Sequence, residues 1–186
     1  MDRTLIDRCI RKEAKAQYEL YKALYPMMMS VCSRYERNKQ DAVSIMNAGF
    51  MKILDGIGDR RPEVPFEAWA RRIIINTVID AFRSSKHRKS VESLDETVED
   101  AQATDANDYL RNMEAESFAD LLLRVPPMSR NVFNLFAIDG HAHKEIAEML
   151  DISEGTSKWH VNNARCILQR ALAELAHSST RKAVLR

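Results

Sequence analysis

The clearest periodic pattern in the chain lies between Gly140 and Leu175, where apolar residues recur at helical spacing in two blocks separated by a short break. Ile146, Ala147 and Leu150 make one apolar face in the first block. Val161, Ala164, Leu168, Ala171, Leu172 and Leu175 make the face of the second. Asp151-Ile152-Ser153 interrupts the pattern between them. Ser153 suits an N-cap, because its hydroxyl can accept from a free backbone N–H of the next turn. Glu154 then puts negative charge at the positive end of the helix dipole. Ala147 is small where the two helices must approach closely. Asp151 tolerates the left-handed conformation that the turn needs better than most residues. The expected unit is a pair of helices joined by a sharp turn.

The rest of the chain also reads as helix. Leu5 to about Arg37 carries a stripe of Leu20, Ala23, Leu24, Met27, Met28 and Val31, with Pro26 expected to end or kink it. The triplet Met27-Met28-Met29 is read as core filling. Asn38-Lys39-Gln40 marks a connection, and Asp41 is expected to cap a helix from Ala42 to about Leu54 that buries Ile45, Met46, Phe50, Ile53 and Leu54. Gly56 and Gly58 stop it. After a loop from Arg60 to Pro65, Phe66 opens a helix whose core side is assigned to Trp69, Ile73, Val78 and Phe82. Arg71, Arg72, Asn76, Asp80 and Arg83 lie on its surface, and Lys86-His87-Arg88-Lys89 finish it.

Between Val91 and Leu110 there is no Lys or Arg, whereas Glu92, Asp95, Glu96, Glu99, Asp100, Asp105 and Asp108 dominate. Large apolar side chains are sparse there, so the stretch reads as a flexible acidic linker. A second domain is expected from near Tyr109, with Phe118, Leu121, Leu122 and Leu123 on one helical face, stopped by Pro126-Pro127. Ser129 is expected to cap a further helix that buries Val132, Phe133, Phe136 and Ala137 and closes at Gly140. The tail after Ala176 lacks a pattern and is expected to fray. The fold class is therefore all-α. Two small helical domains, residues 1–89 and 109–177, are joined by a linker over 90–108 and followed by a tail over 178–186.

Composition agrees: among 186 residues there are five Gly and five Pro, and few stretches alternate with a period of two. A net charge of +1 conceals the segregation of acidic and basic segments. Cys9, Cys32 and Cys166 are scattered without a CxxC pair, so neither a disulfide framework nor a zinc site is indicated. They read as small buried apolar residues of a reducing compartment. No signal peptide opens the chain and no apolar run reaches the length of a membrane span, so the expected location is cytoplasmic. His141 and His143 form an isolated HxH pair, for which capping or surface roles fit better than a metal. No nucleophile elbow, P-loop, HExxH or dinucleotide fingerprint occurs. Neither a catalytic constellation nor a metal, cofactor or small-molecule substrate is expected, and the chain is read as not an enzyme.

Two surfaces carry chemistry. Lys158, Asn162, Asn163 and Arg165 are expected on the outer face of the last long helix, with Thr156, Ser157 and His160 near its start. Asn pairs bidentately with adenine, Arg and Lys with guanine or phosphate, and Ser and Thr with either. In a helix-turn-helix these residues would sit in the major groove. An ordinary helical hairpin with a polar solvated face is the alternative. Around Phe66 to Lys89, aromatics beside a loop precede a basic helix, as a single-strand binding surface requires. Cations at a helix C-terminus are also what its dipole favours, and residue types alone leave both readings open.

Taken together, the segments FEAWARRIIINTVIDAFR and KEIAEMLDISEGTSKWHVNNAR resemble bacterial RNA polymerase sigma factors of the extracytoplasmic-function type, in the sigma-70 family. The first resembles the family's minus-ten helix through Trp69, Arg72, Ile73, Asn76 and Asp80. The resemblance extends over roughly Tyr18 to Leu175 and implies a role for each part. Arg61, Phe66, Arg72, Asn76, Arg83 and Lys86 would melt and read minus-ten DNA. Ser153, Glu154, Thr156, Ser157, Lys158, His160, Asn162, Asn163 and Arg165 would read minus-thirty-five DNA. Asp41, Asn47 and Phe50 would dock on core RNA polymerase.

The implied partners are promoter DNA, the polymerase β′ clamp helices and β flap, and an anti-sigma protein. The linker would thread toward the polymerase active-site cleft. This chain departs from the family at Val43, Ser44 and Ala48, where acidic residues are usual. It departs again at Trp159, in place of a small residue, and at His160 and Asn163, where Arg is frequent. A stand-alone helix-turn-helix regulator is the alternative function, and the Trp69–Lys89 segment discriminates, since an operator binder needs no second reader.

Overall fold

In the computed structural model, which describes the backbone of residues 1–89 and 120–184 and the side chains of 1–85 and 120–175, all regular elements among those residues are helices. The linker over 90–108, the segment from Tyr109 through Phe118 and the Lys86 side chain lie outside the described residues. The chain separates into two units, one ending at Glu92 and the other beginning at Ser93.

The first unit contains α1 (Arg3–Ile10), α2 (Ala14–Tyr35), α3 (Lys39–Gly56) and α4 (Phe66–Lys89). The helical stretch expected from Leu5 to about Arg37 is broken after Ile10. Lys12 there takes a positive φ of 60°. Glu13 holds the corner by accepting from Arg8 Nε at 2.8 Å and Arg11 Nε at 3.1 Å. Pro26, by contrast, does not end α2, which runs on to Tyr35. Pro26 and Lys22 are both exposed, so the carbonyl that the missing N–H would serve is on the water side. Met28 is fully buried, with Met27 and Met29 half-buried beside it.

α3 starts earlier than expected, because Asn38 rather than Asp41 is the cap: its Oδ1 accepts from Gln40 N at 2.8 Å and Asp41 N at 3.4 Å. Met46, Phe50 and Ile53 are buried, whereas Ile45 and Leu54 are half-buried. α4 packs on both α2 and α3, so its buried arc is broad: Ala70, Ile74, Ile75, Thr77, Val78 and Ile79. Trp69, Ile73 and Phe82, assigned to the core from sequence, are only half-buried. Thr77 is what hides the true stripe. Its hydroxyl donates to Ile73 O at 2.8 Å, which lets a polar residue occupy a core position. Gly49 leaves room for the Ile74 side chain between α3 and α4, since a Cβ there would stand 2.6 Å from Ile74 Cδ1.

The second unit begins, among the described residues, with a helical turn at 120–122. It continues through α5 (Pro127–Phe133), a π-helical turn over Asn134–Ile138, α6 (His143–Leu150) and α7 (Glu154–Val184). Pro127 occupies the first position of α5, where its missing N–H costs nothing. Ser129, expected as the cap, is therefore inside the helix and buried. Phe136 is half-buried and Ala137 exposed, contrary to expectation, because the π turn shifts the phase of the chain. Gly140 leaves the turn with φ 78°. Leu121, Leu122, Val125, Phe133, Ala164, Leu168, Ala171 and Leu172 form one buried cluster of the core, with Leu175 packed against it. The backbone of α7 stays helical to Val184, past the point where fraying was expected.

Candidate nucleic-acid interfaces

α6 and α7 form a helix-turn-helix whose turn is built as the sequence demands. Asp151 adopts the left-handed conformation, with φ 55° and ψ 55°. Ser153 caps α7, its Oγ accepting from Thr156 N at 3.0 Å and lying 2.8 Å from Thr156 Oγ1. At the start of α6 the Glu145 carboxylate accepts from Ala142 N at 2.9 Å. Ile146 and Leu150 are buried and Ala147 half-buried, closing the hairpin.

The outer face of α7 is narrower than the sequence suggests. Glu154, Lys158, Asn162 and Arg165 are exposed, and Thr156 is half-buried. Asn163 is not on this face: it is 3% exposed, and its Nδ2 donates to Ser129 Oγ at 3.0 Å. Ser157 is fully buried, 2.9 Å from His143 Nδ1. His160 is half-buried and its Nδ1 lies 2.9 Å from the same Ser129 Oγ. Polarity thus misplaced Asn163, and Ser157 and His160, near the start of the helix as expected, turn inward with it, because all three find polar partners inside the unit. They join α7 to α5 and α6, fixing the angle at which α7 is presented. His143 also stacks on Phe136, with ring centroids 4.4 Å apart, and the Arg165 guanidinium lies 5.9 Å from the Phe136 centroid.

One exposed residue on α7 escaped the sequence assignment. Trp159 is 44% exposed, and its ring meets that of His160 edge to face at 4.8 Å. A large aromatic side chain among polar neighbours was the available signal.

In the first unit, Arg72, Asn76 and Arg83 are all exposed on α4 at spacings that put them on one stripe with Asp80. Lys52 Nζ pairs with Asp80 at 3.1 Å, so part of the stripe is anchored to α3. The adjoining loop is shaped by Arg60, which donates from Nη1 to the carbonyls of Arg61 and Val64 and lies 5.7 Å from the Phe66 ring centroid. Arg61 is exposed at the loop surface. Phe66 is buried and packs on Trp69 at 5.6 Å, so it supports the loop from beneath instead of presenting a free ring. The Trp69 ring in turn lies against Gly56, where an added Cβ would come within 3.3 Å.

Of the three residues assigned to polymerase docking, Asp41 and Asn47 are exposed on α3 and Phe50 is buried. Tyr21 links the latter two: its hydroxyl donates to Asn47 Oδ1 at 3.1 Å and its ring meets Phe50 edge to face at 5.0 Å. Phe50 therefore lies beneath Tyr21 in the packing of α2 against α3.

Residues 20–88 match the sequence model of Sigma-70 region 2, and residues 115–166 match that of Sigma-70, region 4. The chain is 24% identical over 185 residues to the RNA polymerase sigma-H factor of Pseudomonas aeruginosa, covering 94% of this chain and 95% of the relative. It is 25% identical to the RNA polymerase sigma factor CarQ of Myxococcus xanthus over 159 residues, or 84% of this chain and 89% of that one. Among solved structures it is similar to the sigma factor RpoE in complex with the anti-sigma factor NepR from Bartonella quintana. The TM-score is 0.51 at 18% identity, over 84% of this chain and 96% of that one, a likeness of fold. Among the described residues no helix is long and apolar enough to cross a membrane.

Proposed function

The chain belongs to the sigma-70 family, as a factor of the extracytoplasmic-function type, and on that premise we propose which of its surfaces carries each step of promoter-specific initiation. As a sigma factor it binds core RNA polymerase and directs transcription from particular promoters. Minus-thirty-five DNA is read by the outer face of α7, through Lys158, Asn162 and Arg165, with Glu154 and Thr156 at its N-terminal edge. Ser157, His160 and Asn163 hold that face in position and do not read. Minus-ten DNA is taken as displaced single strand along Arg72, Asn76 and Arg83, where cations track phosphates beside the loop that Arg60 and Phe66 shape. Asp41 and Asn47 contact polymerase.

The observation that carries this reading is the presence, in one chain, of a helix-turn-helix reader and a second cationic stripe beside an aromatic-backed loop. A stand-alone operator binder needs only the first. The chain acts as a subunit that confers specificity and has no chemistry of its own, and it works in the cytoplasm. An anti-sigma protein restrains it, a proposal supported by the complex named above.

Run-off transcription of a genomic fragment library with core polymerase tests the reading. A discrete set of transcripts that depends on the added chain is expected. Identical transcripts with and without it would overturn the assignment.

A further inference from the structure

The recognition face includes a residue whose chemistry differs from its polar neighbours. Lys158, Asn162 and Trp159 spread over about 100° of the circumference of α7, with Asn162 between the other two. Trp159 is the sixth residue of that helix, within the N-terminal part that a helix-turn-helix inserts in the major groove. Its 44% exposure leaves a large apolar surface in water among charged and amide side chains. In the major groove the apolar feature open to recognition is the C5-methyl group of thymine.

The Trp159 ring rests on a neighbour that the fold holds in place. His160 meets it edge to face at 4.8 Å with an interplanar angle of 75°. His160 is itself held by Ser129 Oγ at 2.9 Å, and Ser129 by the donating Nδ2 of buried Asn163 at 3.0 Å. An exposed aromatic that rests on a packed neighbour loses less conformational freedom on binding than one with no contact, which favours a specific contact. We infer that Trp159 is a specificity-determining residue that reads a thymine methyl group in the minus-thirty-five element, with Ser129, His160 and Asn163 as its positioning residues. The inference rests on the promoter-reading assignment of α7 made above.

The test uses holoenzyme, formed from the full chain and core polymerase, and the duplex it selects from a random-sequence library. Each thymine of the selected minus-thirty-five element is replaced in turn by uracil, which removes only the methyl group. Parent holoenzyme is expected to lose about fourfold in affinity at one or two positions, the fold-change for a buried group of that size at about 0.8 kcal/mol. With Trp159→Ala the thymine-to-uracil ratio at those positions falls to about one. With Ser129→Ala it falls toward one, and in the Trp159→Ala background Ser129→Ala changes it no further.

A merely structural role for Ser129 would weaken binding to every duplex equally and leave the ratio untouched. Should Ser129→Ala fail to fold, His160→Gln keeps a partner for Ser129 while removing the ring, and the same fall in ratio is expected. Specific binding by the parent with no uracil effect, or a ratio retained in Trp159→Ala, would overturn the inference alone. Failure of the library to yield any preferred duplex would instead overturn the promoter reading beneath it.

Discussion

Asn163 donates from Nδ2 to Ser129 Oγ at 3.0 Å, while its neighbour Asn162 points into solvent. Two adjacent residues of one type therefore have opposite roles. Replacing Asn163 with Ala removes the donor to buried Ser129 Oγ and is expected to cost about 1–3 kcal/mol of stability in the second unit. Asn162→Ala should leave stability within about 0.5 kcal/mol and weaken duplex binding by about 1–3 kcal/mol at one base position. Thermal unfolding and anisotropy titration on both variants separate the two effects. Equal loss of stability in both would contradict the assignment.

Asp151 tests the turn. At φ 55° a β-branched residue is strained, so Asp151→Val should destabilise the second unit by about 1–2 kcal/mol. Asp151→Gly should be neutral or slightly stabilising, because glycine takes that conformation without steric cost. A chemical denaturation series on the three proteins measures the order Val below Asp, with Gly at or above Asp.

Much of the helix-turn-helix was legible because its signals are local. Ser153, Asp151 and the stripe through Val161, Ala164 and Leu168 each act within a turn or two of the chain. The polar interior was not legible. Ser157 and Asn163 look like surface residues until the partners that satisfy them, His143 and Ser129, are brought close by folding. The same reason explains Thr77, whose carbonyl partner at Ile73 lets a hydroxyl sit in the core of the first unit. The break at Lys12 was hidden because Glu13 supplies the corner with charge, where glycine or proline would have announced it. Phe50 and Phe66 were assigned to binding surfaces by resemblance, and the burial of both side chains in the first unit depends on contacts with Tyr21 and Trp69 that no local pattern announces.

Gly49 tests the packing of the first unit. A Cβ there would meet Ile74 Cδ1 at 2.6 Å, and Ile74 is itself fully buried. Gly49→Val displaces the buried Ile74 side chain and is expected to cost about 1–3 kcal/mol, read as a lower unfolding temperature of that unit. Stability equal to the parent would mean that the Ile74 side chain is not held against Gly49.

Burial pushes the Cys32 thiol from an ordinary 9.0 up to about 11. The folded state thus keeps its proton where the unfolded chain loses it. The contribution is constant below pH 9 and stability then declines as pH rises toward 11, by about 1.4 kcal/mol per unit. Denaturation at pH 8, 9 and 10 should show a shallower decline for Cys32→Ala than for the parent. Identical slopes would contradict the buried, protonated thiol.

Promoter opening is the step that separates a sigma factor from a plain operator binder, and Asn76 on the exposed stripe of α4 is where the two diverge. Permanganate footprinting with core polymerase, on a promoter and on the same promoter carrying a pre-melted bubble, measures it directly. The parent chain should render minus-ten thymines reactive only when core polymerase is present. Asn76→Ala should lower that reactivity while minus-thirty-five binding persists, and the bubble should restore it only in part, because base reading is lost together with melting. Minus-ten thymines that stay unreactive with parent holoenzyme, or equal opening by Asn76→Ala, would contradict the role assigned to this stripe.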